Sequence, residues 1–173
     1  MTKQKLCILG STGSIGESTL DVISRNPQRF EVVALTAHRN TGKLAEQCAR
    51  FGARLAVVAD PQLQEQLSAD LKNAGSNAEV LCGEDGLVTA ATLTEIDAVM
   101  AAIVGAAGLQ PTFHAARCGK KILLANKESL VIAGEIFIAE ARRNGAQVLP
   151  VDSEHNAIFQ SLPTGFESGL DDA

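Results

Sequence analysis

A chain of 173 residues, 46% hydrophobic and 20% charged, is the size of one ordinary domain with a real core, so a multi-domain reading needs special evidence. That balance excludes a disordered chain, and no apolar run approaches the roughly 20 residues that a membrane span needs. A net charge of −5 gives no broad electrostatic footprint for nucleic acid or anionic lipid, so any anion must be held by local donors.

The N-terminus "MTKQKLCILG" runs straight into a strand, "LCIL" (6–9), without the long apolar region and cleavage site of a secretory signal, which predicts a cytoplasmic protein. The segment "SIGESTLDVISRN" (14–26) predicts a helix with Ile15, Leu20, Val22 and Ile23 mostly on one side, stopped at Asn26–Pro27. Further strands are expected at 31–35, 55–59, 79–82, 97–104, 121–125 and 147–151. Further helices are expected at 41–51, 61–73, 108–118 and 129–143, the last ending at Asn144–Gly145. Short β-branched runs alternating with amphipathic stretches indicate βαβ units, and strands apolar throughout indicate a sheet covered on both faces. The fold class is therefore α/β, a Rossmann-like, doubly wound and mostly parallel sheet with helices on both faces. Cys7, Cys48, Cys82 and Cys118 are far apart with no CxxC pair, and reduced, packed thiols are expected. The polar tail "TGFESGLDDA" (164–173) has little to bury and reads as the start of something further.

Between the first strand and the first helix lies "GSTGSIG", with glycines at 10, 13 and 16. Such a turn lets backbone approach a pyrophosphate that faces the unpaired N–H groups of a helix N-terminus. Gly10 is expected to make the turn, Gly13 the close approach and Gly16 the tight helix-to-strand contact. GxxGxxG is weaker than GxGxxG as a pattern, and a glycine-rich turn that binds nothing is the bland alternative; its position after a strand and before a helix favours the dinucleotide. No GK[ST] follows, which excludes a P-loop, and a chain without tyrosine excludes the short-chain dehydrogenase mechanism. The second strand ends in His38, Arg39 and Asn40 with no carboxylate for a ribose 2′-hydroxyl. Arginine can fork onto a 2′-phosphate, so NADP(H) is preferred over NAD(H), against the alternative of a solvated surface cation.

Toward the far end, "MAAIVGAAGLQPT" (100–112) finishes a strand in small residues that leave room for a flat ring, and "ILLANKESL" delivers Asn126, Lys127 and Glu128 at a strand's C-terminal end. That edge of a parallel sheet is where ligands bind. Glu128 suits a helix N-terminus, whereas Lys127 is disfavoured there unless an anion faces it. In "VDSEHNAIFQSLP" (151–163), Asp152 and Glu154 project the same way if the backbone is extended, and converge with Ser153 if it is a tight loop. Two hard oxygen ligands suit Mg2+ or Mn2+ but do not close a site, and an isolated DxE is more often solvated or capping.

The ordered set "GSTGSIG", "HRN", "AAIVGAAGL", "LLANKES" and "PVDSEHNAIFQSLP" resembles the 1-deoxy-D-xylulose-5-phosphate reductoisomerase family over essentially the whole chain to about Pro163. The resemblance implies metal-assisted rearrangement of 1-deoxy-D-xylulose 5-phosphate and NADPH reduction to 2-C-methyl-D-erythritol 4-phosphate, in the methylerythritol phosphate route to isoprenoids. It implies an NADP-binding domain over 1–150 and, over 151–173, the start of a truncated catalytic domain, inactive alone and homodimeric when intact. Thr12, Gly13, Ser14 and Ile15 would hold the cofactor phosphates, and His38, Arg39 and Asn40 the adenosine ribose and its 2′-phosphate. Asn126 and Glu128 would contact the nicotinamide side. Catalysis would rest on Lys127, Asp152 and Glu154: Lys127 on substrate oxygens, Asp152 and Glu154 as ligands of Mn2+ or Mg2+, with Ser153 and Glu154 also touching substrate. The family often carries glycine where His38 stands. Its third acidic ligand, the loop over the substrate and most of the phosphate pocket fall beyond Ala173. Two alternatives stand beside this reading: an NADP-binding module without catalysis, and a semialdehyde-dehydrogenase-type oxidoreductase. The latter needs a nucleophilic cysteine, for which neither Cys7 nor Cys118 is well placed.

Overall fold

The computed structural model describes residues 2–125 and 128–161; the expectations for Asn126, Lys127 and the 164–173 tail lie outside them. Among the described residues, β1 (Gln4–Leu9), β2 (Phe30–Ala37), β3 (Leu55–Val58), β4 (Glu79–Cys82), β5 (Ala98–Ala101), β6 (Lys121–Leu124) and β7 (Val148–Pro150) form one sheet in the order β4-β3-β2-β1-β5-β6-β7. Every pairing is parallel. The chain steps outward from β1 to β4, then crosses back to place β5 on the other side of β1. The strand order therefore reverses between β1 and β5, and a crevice opens there at the carboxyl ends of the strands.

Helices α1 (Ser14–Arg25), α2 (Thr41–Phe51) and α3 (Gln64–Asn73) bury Leu20, Ile23, Leu44, Cys48, Leu67 and Leu71 against one face of the sheet. On the other face, α4 (Gly83–Thr92), α5 (Leu109–Arg117) and α6 (Glu128–Arg143) contribute Leu87, Ala90, Ala115, Ala116, Phe137 and Ala141. The strands between them are apolar on both sides, and each fully buried aliphatic side chain stabilises the fold by roughly 1.5–3 kcal/mol. One residue is inserted in β2: Leu6 pairs with Val32 but Cys7 with Ala34, so Val33 and Ala34 both enter the same core. The bulge shifts the alternation for the rest of β2, including Thr36.

Several expectations are corrected by packing. The strand expected over 97–104 stops at Ala101, because Gly105 has a positive φ of 72° and residues 106–108 form a 3-10 turn. The segment 83–92 was not expected to be helical, since two glycines and Val88, Thr89 and Thr92 are weak helix formers. Tertiary contact overrides that: a Cβ at Gly86 would lie 3.0 Å from Val57 Cγ1 and 3.1 Å from Leu81 Cβ, so glycine lets α4 lie against β3 and β4. Residues 153–161 form a further helix, α7 (Ser153–Ser161), instead of extended or tight-loop backbone. On α1, Leu20 and Ile23 are buried, but Ile15 and Val22 are 41% and 53% exposed. Cys7 and Cys48 are packed as expected, whereas Cys118 follows α5 and is exposed.

Candidate functional site

All strands run the same way, so everything that follows a strand gathers at one edge of the sheet. The turn after β1, the 38–40 segment after β2, Asp60 after β3, the 102–108 loop after β5, Glu128 after β6 and the 151–154 segment after β7 share it. The two motifs that open and close the sequence are thus on the same end of the molecule. Ser14, Ile15, Met100 and Val151 line a common groove of about 340 Å³ there.

The glycine turn sits in the crevice itself. Gly10 has φ 81°, and a Cβ on it would come 3.0 Å from the carbonyl oxygen of Ala102, so glycine is needed both for the bend and for the approach to the β5 loop. Gly16 is tighter still: its Cβ would fall 2.4 Å from Gly10 O and 2.5 Å from Ser11 Cα. Its close contact is therefore with the turn, where contact with the strand was expected. Gly13 is the N-cap of α1 and makes no side-chain cap. The first N–H groups of α1 have no intrahelical acceptor and no capping side chain, which leaves them for an anion. Thr12 is half-buried, and Gly13, Ser14 and Ile15 are exposed. A Cβ at Gly13 would meet only Gly10 O, at 3.5 Å, so the space above it is open.

A buried polar network that was not anticipated holds this turn. Thr36 Oγ1 accepts from Gly10 N at 2.9 Å, and the Thr36 carbonyl accepts from Ser11 N at 2.8 Å. Ser11 is fully buried; its hydroxyl donates to Gln47 Oε1 at 2.7 Å and lies 3.1 Å from the Thr36 carbonyl. Gln47 Nε2 in turn donates to the Ser11 carbonyl at 3.0 Å. The sequence signal was slight: a glutamine at the middle of an amphipathic helix, on the face that also buries Leu44 and Cys48.

His38, Arg39 and Asn40 are exposed at the end of β2. Asn40 caps α2 by accepting from Lys43 N at 3.2 Å, a structural task its position alone suggests. Arg39 is exposed but held: Nε and one terminal nitrogen lie 3.0 and 2.9 Å from Asp60 Oδ2. Asp60 Oδ1 accepts from Gln62 N at 3.1 Å. That backbone bond, followed by the Arg39 guanidinium, keeps the Asp60 carboxyl below the usual carboxylate range. One edge of the guanidinium is thus occupied, and its remaining N–H groups can still fork onto a phosphate.

At the far strands, β6 ends at Leu124 and α6 begins at Glu128; Asn126 and Lys127 lie outside the described residues. Val151 N donates to the Leu124 carbonyl at 3.0 Å, which keeps the 151–154 segment beside the end of β6. Asp152 immediately precedes α7, while Ser153 and Glu154 are in its first turn, and Ser153 Oγ donates to Glu154 Oε2 at 3.0 Å. Acids at a helix N-terminus are favoured by its dipole whether or not a metal is bound. Among the described residues, no group of three His, Cys, Asp or Glu side chains is placed to hold a metal ion, so the donor set offers two hard carboxylates and needs partners.

Comparison with known proteins bears on this geometry. The family model for 1-deoxy-D-xylulose 5-phosphate reductoisomerase matches residues 6–134. A protein of that name from Nitrosomonas europaea is 59% identical over 171 residues, covering 98% of this chain and 41% of the relative. The reductoisomerase from Zymomonas mobilis in complex with NADPH is similar at a TM-score of 0.90 and 51% identity, over 95% of this chain and 43% of that one. A reductoisomerase in complex with NADPH, fosmidomycin and magnesium gives 0.91 at 47% identity, over 95% and 40%. The chain spans about two fifths of the length of the curated relatives it matches.

Proposed function

Because this chain belongs to the 1-deoxy-D-xylulose 5-phosphate reductoisomerase family, we propose that it is the NADPH-binding portion of such an enzyme, with residues 1–150 as the cofactor domain and 151–173 as the start of the catalytic one. The observation that carries this reading is the uncapped N-terminus of α1 behind a glycine turn at the reversal of strand order, with Arg39 at the end of the neighbouring strand. The open space above Gly13 and the unoccupied edge of Arg39 fit a pyrophosphate and a 2′-phosphate respectively.

In this reading Thr12, Gly13, Ser14 and Ile15 hold the cofactor phosphates, while His38, Arg39 and Asn40 surround the phosphorylated ribose. Asn126 and Glu128 contact the nicotinamide side. Lys127 lies on substrate oxygens, where it steadies developing negative charge, and Ser153 hydrogen-bonds substrate. Asp152 and Glu154 supply two carboxylates to Mn2+ or Mg2+. When bound, the metal supplies Lewis-acid assistance to the rearrangement and NADPH the hydride for reduction. The substrate is the phosphorylated sugar 1-deoxy-D-xylulose 5-phosphate and the product 2-C-methyl-D-erythritol 4-phosphate. A homodimer belongs to the same reading and rests on the resemblance alone, whereas a cytoplasmic location is the expectation drawn from the sequence. Two carboxylates do not complete a metal site, so the 173 residues bind cofactor without turnover.

The semialdehyde-dehydrogenase alternative is disfavoured by the cysteines: Cys7 is buried within β1, and Cys118 follows the C-terminus of α5, away from the ligand-facing edge. Titration of the chain with NADPH and NADH, followed by addition of Mn2+ and deoxyxylulose phosphate, tests the proposal. Saturable binding that prefers NADPH, without product, is expected. Absence of NADPH binding in a folded sample contradicts it.

A further inference from the structure

The glycine turn is braced from three sides: Thr36 of β2 bonds Gly10 and Ser11, Gly16 brings α1 into contact with Gly10 and Ser11, and Gln47 of α2 bonds the hydroxyl and the carbonyl of Ser11. The third brace exceeds what burial of a serine requires, since the Ser11 hydroxyl already has the Thr36 carbonyl within 3.1 Å. Gln47 also stands seven residues after Asn40, the cap of α2, and so lies on the same face two turns along. One helix thereby links the 38–40 corner to the turn.

We propose that Gln47 is a positioning residue for cofactor binding, clamping the Ser11 peptide so that the amides that follow it are aimed at the pyrophosphate. The inference rests on the cofactor reading above. Both ends of the Gln47 amide engage Ser11, its nitrogen on the Ser11 carbonyl and its oxygen on the Ser11 hydroxyl, a two-point hold that restrains the rotation of that peptide. A pyrophosphate held by backbone N–H groups depends on that rotation, because hydrogen bonds weaken steeply off axis. Gln47 touches no ligand itself.

The test is the Kd of NADPH, NADH and 2′-AMP for the whole chain and for its Gln47→Leu variant, which keeps the approximate volume and loses both bonds. NADPH and NADH are expected to weaken by the same factor, roughly tenfold, with the preference between them kept. The affinity of 2′-AMP, which has the 2′-phosphate but no pyrophosphate, stays within about twofold. Unchanged NADPH affinity overturns the proposal, as does an equal loss for 2′-AMP, which marks a general loosening of the fold. Should Gln47→Leu not fold, Gln47→Glu is read by the same criteria, since it keeps the acceptor and sets an oxygen against the Ser11 carbonyl. If the unmodified chain binds no NADPH, the cofactor reading itself fails and takes this inference with it.

Discussion

Arg39 is two-thirds exposed by its side chain, at 68%, yet its guanidinium is held by a carboxylate that is only 16% exposed. A surface arginine without such a partner samples many rotamers, and ordering it on a ligand costs entropy; Asp60 removes part of that cost in advance. Because the Asp60 carboxyl is depressed, its contribution is present above the unfolded pKa and lost only as pH falls through the lower folded value, so the pair persists near neutrality. Arg39→Ala is expected to raise the Kd of NADPH roughly tenfold while leaving NADH nearly unchanged. An equal effect on both cofactors would remove Arg39 from the 2′-phosphate subsite. The cysteines give a second check at this scale. Burial pushes the thiols of Cys7 and Cys48 up to about 12, from an ordinary 9.0. The folded state therefore holds their protons longer: their contribution to stability is intact below pH 9 and is lost as pH rises toward 12. Alkylation of the native chain should label Cys118 first and spare Cys7 and Cys48 until the chain unfolds, as read by peptide mass mapping.

The elements differ in how openly the sequence announces them. α2 was legible to the residue, because Asn40 caps it and Gly52, with φ 65°, ends it, and apolar residues recur at helical spacing between. α1 and the turn before it were equally legible from three glycines, although the reason for Gly16 was not. That requirement is geometric and can be tested: Gly16→Ala must move either the Gly10 carbonyl or the first turn of α1. It is expected to cost about 3 kcal/mol, with a lower Tm and weakened NADPH binding. α4 was hidden because its glycine serves packing against Val57 and Leu81 and its propensity is poor. α6 carries a kink at Ala133, φ −139° and ψ 25°, beside Gly134, the weak helix former inside the pattern over 129–143 that the expectation of one continuous helix passed over. Asp60 and Gln47 were missed for a common reason. Each acts on a residue more than 20 positions away, and no local spacing records such a pair.

At the scale of the molecule, the alternation of strands and helices was sufficient for the layer architecture, but the reversal between β1 and β5 is a property of pairing alone. It is this reversal that turns a glycine-rich bend into a crevice and sets the residues before Asp152 across a groove from the start of α1. Cofactor that binds only the folded chain stabilises it by mass action, by about 2.7 kcal/mol at a hundredfold excess over Kd. For a chain of this length that is a rise of several degrees in Tm, and NADH at equal concentration should give less. The central claim is that the amides at the head of α1 receive the dinucleotide's pyrophosphate. Backbone amide chemical shifts recorded during an NADPH titration test it most directly. The account predicts saturable shifts largest at residues 12–15, with smaller ones at 38–40 and 102–105. Shifts that leave 12–15 unmoved while the cofactor binds elsewhere would contradict it.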